Sequence, residues 1–581
     1  MDAILKDLNS AQREAVCHTE GPLLILAGAG SGKTRVLVYR IAYLLTKGIP
    51  CENLLAVTFT NKAAQEMRER VSALVGSWAR AIWISTFHSA CARILRQEGA
   101  ALGLAKDFVV YDAQDQLIVV KEILRELNLS EKNFNPRAIR AGVSAAKNKL
   151  VVPEEYEKTA ADFWAQTVAK VYPVYQKKLR ANAAVDFDDL IMLTVRLFKE
   201  HPGVLEKYRE RFKYIMIDEY QDTNHAQYVL VRQLAAGRRN ICVVGDDDQS
   251  IYSFRSADIR NILDFERDYP EVKVIKLEQN YRSTRKILQA ANEVVKNNHY
   301  RKTKTLWTEN EEGLPVNILQ AADERDEAVQ VIGEIENLVN REGYSFGDCA
   351  LLYRINAQSR SFEEVMGRKG LPYKVVGGLR FYDRREIRDI LAYLRLVFNP
   401  QDRVSLRRAI NTPRRGIGEG TVERLFTFLD ENNYSLLEGL ERIKEAPGLT
   451  GRAANALARF DRLFRNIYSH RDKISVSRLT KMILEDSGYL RELRAENTVE
   501  AQSRLENLDE FLALTAEFEM NSDDKSLGAF LEKVALVTEV DHYDREMNGV
   551  TLMTIHSAKG LEFSVVFLVG LEEGVFHTAA A

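Results

Sequence analysis

The sequence predicts an α/β protein built on two parallel sheets, each interrupted by a largely helical insertion. Three strand–loop–helix units follow one another within the first hundred residues. The same alternation returns between "RFKYIMIDEY" and "LEQNYRST", and two long helical stretches separate the alternating regions. Strand–loop–helix units in series form parallel strands covered by helices. Functional loops are therefore expected at the carboxyl ends of the strands.

Bulk composition narrows the class of protein. The chain has 581 residues with 46% hydrophobic content, enough for three or four domains. Its 81 basic and 83 acidic residues nearly cancel, so any nucleic-acid site must be a local patch or groove. The five cysteines form no C-x-x-C pair, which argues against a disulfide framework or a zinc site. With no signal peptide and no apolar run of bilayer length, a cytoplasmic location is expected.

The first unit, "PLLILAGAGSGKTRVLVYRIAYLL", is an apolar strand, a glycine loop and a helix. Its loop matches the phosphate-loop pattern G-x-x-x-x-G-K-S/T, except that Ala27 takes the first glycine position. Backbone N–H groups of such a loop cradle phosphate oxygens, Lys33 adds a charge at the β/γ-phosphates and Thr34 can ligate Mg²⁺. A plain glycine-rich turn is the alternative, which the flanking strand and helix disfavour. The candidate nucleotide-binding residues of the loop are Ala27, Gly28, Ala29, Gly30, Ser31, Gly32, Lys33 and Thr34.

Paired acids end the apolar strand in "YIMIDEYQDT". Asp218 is placed to hold Mg²⁺, directly or through water, and Glu219 to orient and deprotonate an attacking water. A solvated loop with two acids is the alternative, but it does not explain why the acids follow four apolar residues without a break. The acids of "VDFDDLIMLTV" are instead expected to cap the start of a helix.

One later loop combines two kinds of chemistry. "VVGDDDQSIYSFRS" begins as a buried strand, continues with three aspartates and a glutamine, and ends with aromatics and an arginine. Acidic and polar groups suit a nucleotide–metal site. Aromatic rings beside arginine suit stacked bases. The loop is therefore a candidate link between a nucleotide and a nucleic-acid strand.

The ordered motifs resemble those of the UvrD/Rep/PcrA-type superfamily 1 DNA helicases. The motifs that carry the resemblance are "AGAGSGKT", "VTFTNKAAQEMRERV", "ISTFH", "IDEYQDTN", "GDDDQSIYSFRSA", "LEQNYRST", "VVGGLRFYDRREIRDILAYLR" and "TIHSAKGLEF". The resemblance implies a 3′→5′ ATP-dependent DNA helicase acting in DNA repair or replication. It implies two RecA-like motor domains of the P-loop NTPase class with ATP and Mg²⁺ between them. Its expected partners are single-stranded DNA, single-strand/duplex junctions, and repair or replication-initiation proteins.

The resemblance also implies domain bounds. Residues 1–110 and 184–283 would form the first motor domain, with residues 111–183 as its helical insertion. Residues 284–379 and 549–581 would form the second, with residues 380–548 as its insertion. The final stretch "VTLMTIHSAKGLEFSVVFLVGL" is expected to supply two buried strands to the second sheet.

Residue roles are carried over position by position. At the nucleotide, Gln12 would read adenine, since its amide offers one donor and one acceptor face. Gln249 would sense the γ-phosphate and Arg282 would reach across the cleft as an arginine finger. The remaining implied nucleotide contacts are Arg35, Tyr281 and Glu562. The implied DNA contacts are Phe59, Asn61, His88, Tyr252, Phe254, Arg255 and His556, and a phosphate clamp at Gly416 and Gly418. Taken alone, Phe59 reads as core, His556 as a loop histidine, and the glycine turn as an ordinary helix–helix turn.

Two departures from the family pattern have consequences. The family usually has Tyr-Arg-Trp-Arg-Gly where this chain has "YSFRS", so a weaker grip on single strands is predicted. The chain ends at "HTAAA", before the family's last motif and its γ-phosphate arginine, so we expect a truncated end and impaired turnover. Two other functions therefore remain open. One is a non-catalytic ATP- and DNA-binding protein, and the other is the motor portion of a helicase–nuclease.

Overall fold

The computed structural model describes residues 2–299, 301–377, 381–449, 451–537, 548–574 and 576. Its strands over this part of the chain are β1 (Leu23–Ala27), β2 (Leu54–Thr58), β3 (Trp83–Thr86), β4 (Val109–Tyr111), β5 (Ala184–Asp186), β6 (Tyr214–Ile217), β7 (Ile241–Gly245), β8 (Lys273–Leu277), β9 (Cys349–Tyr353), β10 (Tyr373–Val375), β11 (Val550–Thr554) and β12 (Val565–Leu568).

The first sheet has six parallel strands in the order β3-β2-β6-β7-β1-β8. Apolar side chains fill both of its faces, which explains why strands such as β1 and β7 are apolar throughout. The α-helices that belong to this region are Asp2–Leu5, Ser10–Cys17, Lys33–Thr46, Asn61–Val75, Phe87–Glu98, Phe187–Glu200, Pro202–Arg211, His225–Ala235, Arg260–Leu263 and Phe265–Asp268. The strand order brings the loops after β1, β6, β7 and β8 to one edge of the sheet.

The first insertion begins and ends in a small sheet that the sequence did not indicate. Its two strands, β4 and β5, pair in parallel, and the expected bounds 110/111 and 183/184 fall at these strands. Strands of three residues are too short to show an alternating pattern. The insertion's helices are Ala113–Glu126, Pro136–Asn148, Pro153–Thr159 and Phe163–Ala181. Asp186 caps the next helix by accepting from the N–H of Asp189, as expected.

The second sheet has four parallel strands in the order β10-β11-β9-β12. The helices Glu324–Glu342 and Ser359–Lys369 pack on it, and the helix Arg285–Val295 precedes them in the chain. The expectation of two buried strands in the final stretch is wrong for β12. Val566 and Leu568 of that strand are 47% and 52% exposed, whereas four of the five residues of β11 are buried. The reason is position: β12 lies at the edge of the described sheet and β11 lies inside it.

The second insertion is helical and has its own large apolar core. Its helices are Arg385–Phe398, Arg403–Ala409, Glu419–Asn432, Leu436–Glu441, Gly451–Tyr468, Val476–Asp486, Tyr489–Glu496, Val499–Asn521 and Leu527–Leu536. Three expectations fall outside the described residues. They are the bound at 379/380, which falls on residues 378–380, the end of the insertion before 548/549, which falls on residues 538–547, and the final "HTAAA", which is residues 577–581.

The two insertions contact each other through buried polar groups. Tyr111 donates its hydroxyl hydrogen to Asp402 at 2.6 Å, and Asp115 pairs with Arg388 at 3.0 Å and Arg395 at 2.6 Å. Burial raises the pKa of Asp115 to about 6, against the effect of the two arginines.

Over the described part of the chain, no helix is both long and apolar enough to cross a membrane.

Candidate nucleotide and nucleic-acid site

The phosphate loop connects β1 to the helix Lys33–Thr46. Gly32 caps that helix with a φ of 87°, in the left-handed region that an L side chain adopts at a cost of about 1–2 kcal/mol. A Cβ on Gly28 would lie 2.1 Å from Leu306 Cδ2, so a larger residue there would require the Leu306 side chain to move. Ser31 donates its hydroxyl hydrogen to Gly28 O at 2.8 Å and closes the turn. The loop thus presents backbone N–H groups at a helix N-terminus, an arrangement that binds phosphate.

Gln12 and Tyr281 each donate a hydrogen bond to a carbonyl of this loop. Gln12 donates from Nε2 to Ser31 O at 3.0 Å, and its Oε1 accepts from the N–H of Asn9 at 3.2 Å. Asn9 in turn donates to the Tyr281 hydroxyl at 2.7 Å. Tyr281 N donates to Gly30 O at 3.0 Å, which ties the tyrosine to the loop. Both residues predicted to meet the base are therefore neighbours of the phosphate loop.

The arginines predicted at the nucleotide have protein partners in this structure. Arg35 donates to Asp7 O at 2.8 Å. Arg282 lies beside Gly30, and its Nε donates to Glu562 Oε2 at 2.8 Å. This pair joins the loop after β8 to the loop before β12, so it spans the two sheets. The two side chains are 40% and 56% exposed, which leaves the pair open to exchange with a ligand.

The paired acids face the phosphate loop from the end of β6. Thr34 donates its hydroxyl hydrogen to Asp218 Oδ2 at 3.2 Å, and Lys33 Nζ lies 3.8 Å from Glu219 Oε1. Burial, together with the charge of Glu219, raises the pKa of Asp218 to about 7. Glu219 is half-buried, with 23% of its side chain exposed, and Lys33 and Lys559 hold its pKa below its ordinary value. The two carboxyls therefore differ in proton affinity, and each can serve as metal ligand or general base only in its ionised form.

Glu219 also has an unusual backbone conformation. Its φ is 50°, in the left-handed region where a non-glycine residue stores strain of about 1–3 kcal/mol. Such strain persists where surrounding contacts hold the residue, and the Gln221 amide nitrogen contacts Glu219 Oε2 at 2.6 Å. The strained turn aims the carboxylate at Lys33.

The loop after β7 meets both sheets. Gln249 donates from Nε2 to Asp246 Oδ2 at 2.6 Å, and its carbonyl accepts from Lys559 Nζ at 2.7 Å. Lys559 belongs to the loop after β11 and also pairs with Asp222. Burial raises the pKa of Asp222 to about 6, an effect that Lys559 opposes. One ammonium of the second sheet thus contacts the loops after β6 and β7 of the first.

An aromatic and basic cluster lies at the far end of the same loop. Tyr252 donates its hydroxyl hydrogen to His556 O at 3.1 Å, and the rings of Phe254 and His556 meet edge to face at 5.2 Å. Arg255 lies 5.3 Å and 5.5 Å from the centres of the Tyr252 and Phe254 rings. Burial lowers the pKa of His556, and the charges of Arg354 and Arg255 lower it further. With Phe254 64% exposed, the cluster offers an open ring face for a base.

The other candidate DNA contacts have protein neighbours. Phe59 packs edge-on against Phe87 with ring centres 5.8 Å apart. Burial lowers the pKa of His88 to about 4, so this ring is neutral at neutral pH. Asn61 donates to Leu536 O of the second insertion at 2.8 Å. The structure does not test the DNA roles of these residues, which stay predictions.

The glycine turn of the second insertion is exposed. Gly416 has a φ of 71°, and Gly418 precedes the helix Glu419–Asn432. No atom lies within 4 Å of where a Cβ on either glycine would be. Arg415 donates to backbone carbonyls around the turn, including Thr412 O at 3.0 Å, and so supports its shape. The turn is open enough for a phosphate.

Three cations at these loops were not singled out from the sequence. Lys559 lies within the quoted "TIHSAKGLEF", and Arg354, which follows β9 directly, has its Nη1 3.2 Å from His556 Nε2. The expectation that functional side chains follow strand ends could have indicated both. Lys304 contacts the three aspartates that follow β7. No sequence pattern marks it, because the contact depends on how the chain returns after the helix Arg285–Val295.

Comparison with known proteins agrees with the motifs. The model of the UvrD/REP helicase N-terminal domain matches residues 8–270, and that of the UvrD-like helicase C-terminal domain matches residues 275–580. The chain is 52% identical over 580 residues to the ATP-dependent DNA helicase PcrA of Bacillus subtilis, covering 99% of this chain and 78% of that protein. It is 50% identical to the proteins of the same name from Staphylococcus epidermidis and Staphylococcus aureus, over 99% of this chain and 79% of each.

Proposed function

The chain belongs to the family of UvrD-like helicases, and from this membership we propose that it is an ATP-dependent DNA helicase that moves 3′→5′ along single-stranded DNA. The supporting observation is the loop after β7. Near its start, Gln249 O accepts from Lys559, whose ammonium lies 4.0 Å from Glu219. A few residues later the loop carries the exposed Phe254 ring. A nucleotide-dependent change at one end would alter the grip on DNA at the other.

We assign the chemistry of ATP hydrolysis to the first sheet. The phosphate loop and Lys33 hold the β/γ-phosphates. Thr34 and Asp218 offer neighbouring oxygen ligands that suit Mg²⁺, which would neutralise charge on the phosphates. Glu219, kept ionised by its lysine neighbours, accepts the proton of the attacking water. Gln249 would leave Asp246 to contact the γ-phosphate.

Groups from both sheets complete the nucleotide site in this proposal. Arg282 and Glu562 already contact each other between the sheets. On ATP binding, the arginine would exchange this exposed partner for the γ-phosphate, and the glutamate would turn to the nucleotide. An arginine in this role is worth orders of magnitude in rate. Tyr281 and Gln12 would lie at the base.

We assign DNA binding to two surfaces. Single-stranded bases would stack on Phe254 and Tyr252, with Arg255 and His556 beside them. The open turn at Gly416 and Gly418 would hold a duplex phosphate through backbone N–H groups. The proposed motor domains, insertions and bounds are those that the family resemblance implies. We further propose that the protein acts in the cytoplasm, in DNA repair or replication, with proteins of those processes as partners.

ATP hydrolysis with and without oligo-dT tests the proposal. Hydrolysis stimulated strongly by oligo-dT, and abolished by Glu219→Gln with ATP binding retained, would support it. Retained binding of ATP and oligo-dT without turnover in the natural chain would favour a binding protein instead. Strand displacement on partial duplexes with either a 3′ or a 5′ tail tests polarity. Unwinding that starts only from the 5′ tail would refute the proposed direction.

A further inference from the structure

Residues 301–308, here called the 301–308 segment, connect two parts of the site that are far apart in sequence. The segment follows the helix Arg285–Val295 and runs back along the first sheet. Near its start it contacts the three aspartates after β7, and near its end it contacts the phosphate loop.

At the aspartates, Lys304 acts as an internal cation. Its ammonium lies 2.8 Å from Asp246 and 2.8 Å from Asp248, and it also pairs with Asp247. One carboxylate oxygen from each of the three aspartates lies within 4.8 Å of the other two, and the Lys304 side chain is only 2% exposed. Like charges this close and this buried repel strongly without a cation between them. Lys304 therefore holds the acidic part of the loop in one shape.

The neighbouring residues add to this attachment. Arg301 pairs with Asp248 at 2.8 Å, and the backbone N–H of Lys302 donates to Asp247 at 2.7 Å. The Lys302 ammonium, in contrast, points to Glu266. Of the two lysines on this segment, only Lys304 contacts the aspartates with its side chain.

The other end of the segment contacts the phosphate loop. Leu306 packs so closely on Gly28 that a Cβ there would require the leucine side chain to move. Trp307 O accepts from Asn280 N at 2.7 Å, and the Asn280 side chain donates to Ala29 O at 2.6 Å. A movement of the phosphate loop would therefore be felt by Leu306 and Trp307, two and three residues from Lys304.

We propose that Lys304 is a positioning residue that, through the 301–308 segment, couples the state of the phosphate loop to the DNA-stacking loop. The inference rests on the proposed function. When phosphate binds the loop, Leu306 moves and Lys304 moves with it. The aspartates that pair with Lys304 then shift, and Gln249 and Tyr252 on the same loop shift with them. The segment gives a second connection between nucleotide and DNA, beside the loop after β7 itself.

The test compares Lys304→Met with Lys302→Met. The measurement is oligo-dT affinity, by fluorescence anisotropy, with and without a non-hydrolysable ATP analogue. In the natural chain and in Lys302→Met we expect the analogue to change the oligo-dT Kd by about fivefold or more, as coupled sites do. In Lys304→Met we expect the coupling ratio to fall to about one, because the acidic part of the loop no longer follows the segment. A residue that only supports the fold would weaken binding of oligo-dT or of the analogue and leave the coupling ratio unchanged.

Each outcome decides something. A coupling ratio retained in Lys304→Met, or lost equally in Lys302→Met, overturns the inference while the proposed function stands. If the analogue does not change the oligo-dT Kd of the natural chain, the inference is refuted. The nucleotide–DNA coupling of the proposed function is then refuted as well. If Lys304→Met does not fold, hydrogen exchange of the natural chain replaces it. The amides of the 301–308 segment must then change their protection both when the analogue is added alone and when oligo-dT is added alone. If either ligand leaves the protection unchanged, the inference is overturned.

Discussion

The raised pKa of Asp218 predicts that divalent-cation binding depends on pH near neutrality. The pKa is about 7, against an ordinary value of 3.8. A carboxyl with that pKa is about one-tenth ionised at pH 6 and about nine-tenths at pH 8. A cation competes with the proton for this carboxylate, so its affinity should rise about tenfold between these pH values. A carboxyl with an ordinary pKa would be ionised throughout and would give no such rise.

Titration of Mn²⁺ into the nucleotide-free protein, followed by electron paramagnetic resonance, measures this affinity. Asp218→Asn should bind Mn²⁺ weakly at every pH and lose the rise. Thr34→Ala should bind Mn²⁺ more weakly, because it removes a proposed ligand, and should move the rise to higher pH, because the Thr34 hydroxyl lowers the pKa of Asp218. Asp222→Asn is the matched control, since Asp222 pairs with Lys559 rather than with Thr34. It should bind Mn²⁺ as the natural chain does.

Two results would refute this reasoning. One is an affinity in the natural chain that stays constant from pH 6 to pH 8, which would mean that Asp218 is already ionised at the lower pH. The other is a rise that survives in Asp218→Asn, which would assign the titration to a different group. Either result would leave the proposed nucleotide binding at the phosphate loop standing but would remove the assignment of different proton affinities to the two acids.

Three other variants test separate features. Gly28→Ala should weaken binding of a fluorescent ATP analogue and lower the melting temperature, because its Cβ would meet Leu306 at 2.1 Å and overpacking costs about 1–3 kcal/mol; unchanged binding would contradict the close approach. Phe254→Trp should tighten oligo-dT binding in anisotropy titrations, since stacking is worth about 1–3 kcal/mol per base and Trp offers more area; no gain would count against stacking at this ring. Lys147→Met should destabilise the protein by about 3–5 kcal/mol, because it leaves buried carboxylates unpaired. Lys178→Met, at a more exposed pair, should cost under about 1 kcal/mol, and equal losses in thermal denaturation would refute the argument.

The strand ends were predictable because local patterns mark them. Four apolar residues followed by Asp218 and Glu219 indicate a buried strand with acids at its carboxyl end, and the structure has β6 there. The phosphate loop was predictable because glycines, a lysine and a threonine at fixed spacing leave few alternatives. The burial of β12 was predicted wrongly, because an apolar run does not say whether a strand lies inside a sheet or at its edge.

The sequence by itself determined the fold class, the phosphate loop, the acids that face it and the aromatic residues of the loop after β7. These follow from residue type and short-range spacing, which act within one strand–loop–helix unit. Only the tertiary structure decided which loops meet. The order β6-β7-β1-β8 brings together residues separated by up to about 250 positions along the chain. The path of the chain after β8 places Lys304 on the aspartates, and the contact between the two sheets places Lys559 on Gln249. A long-range ion pair depends on the path of the whole chain, so no local pattern records it.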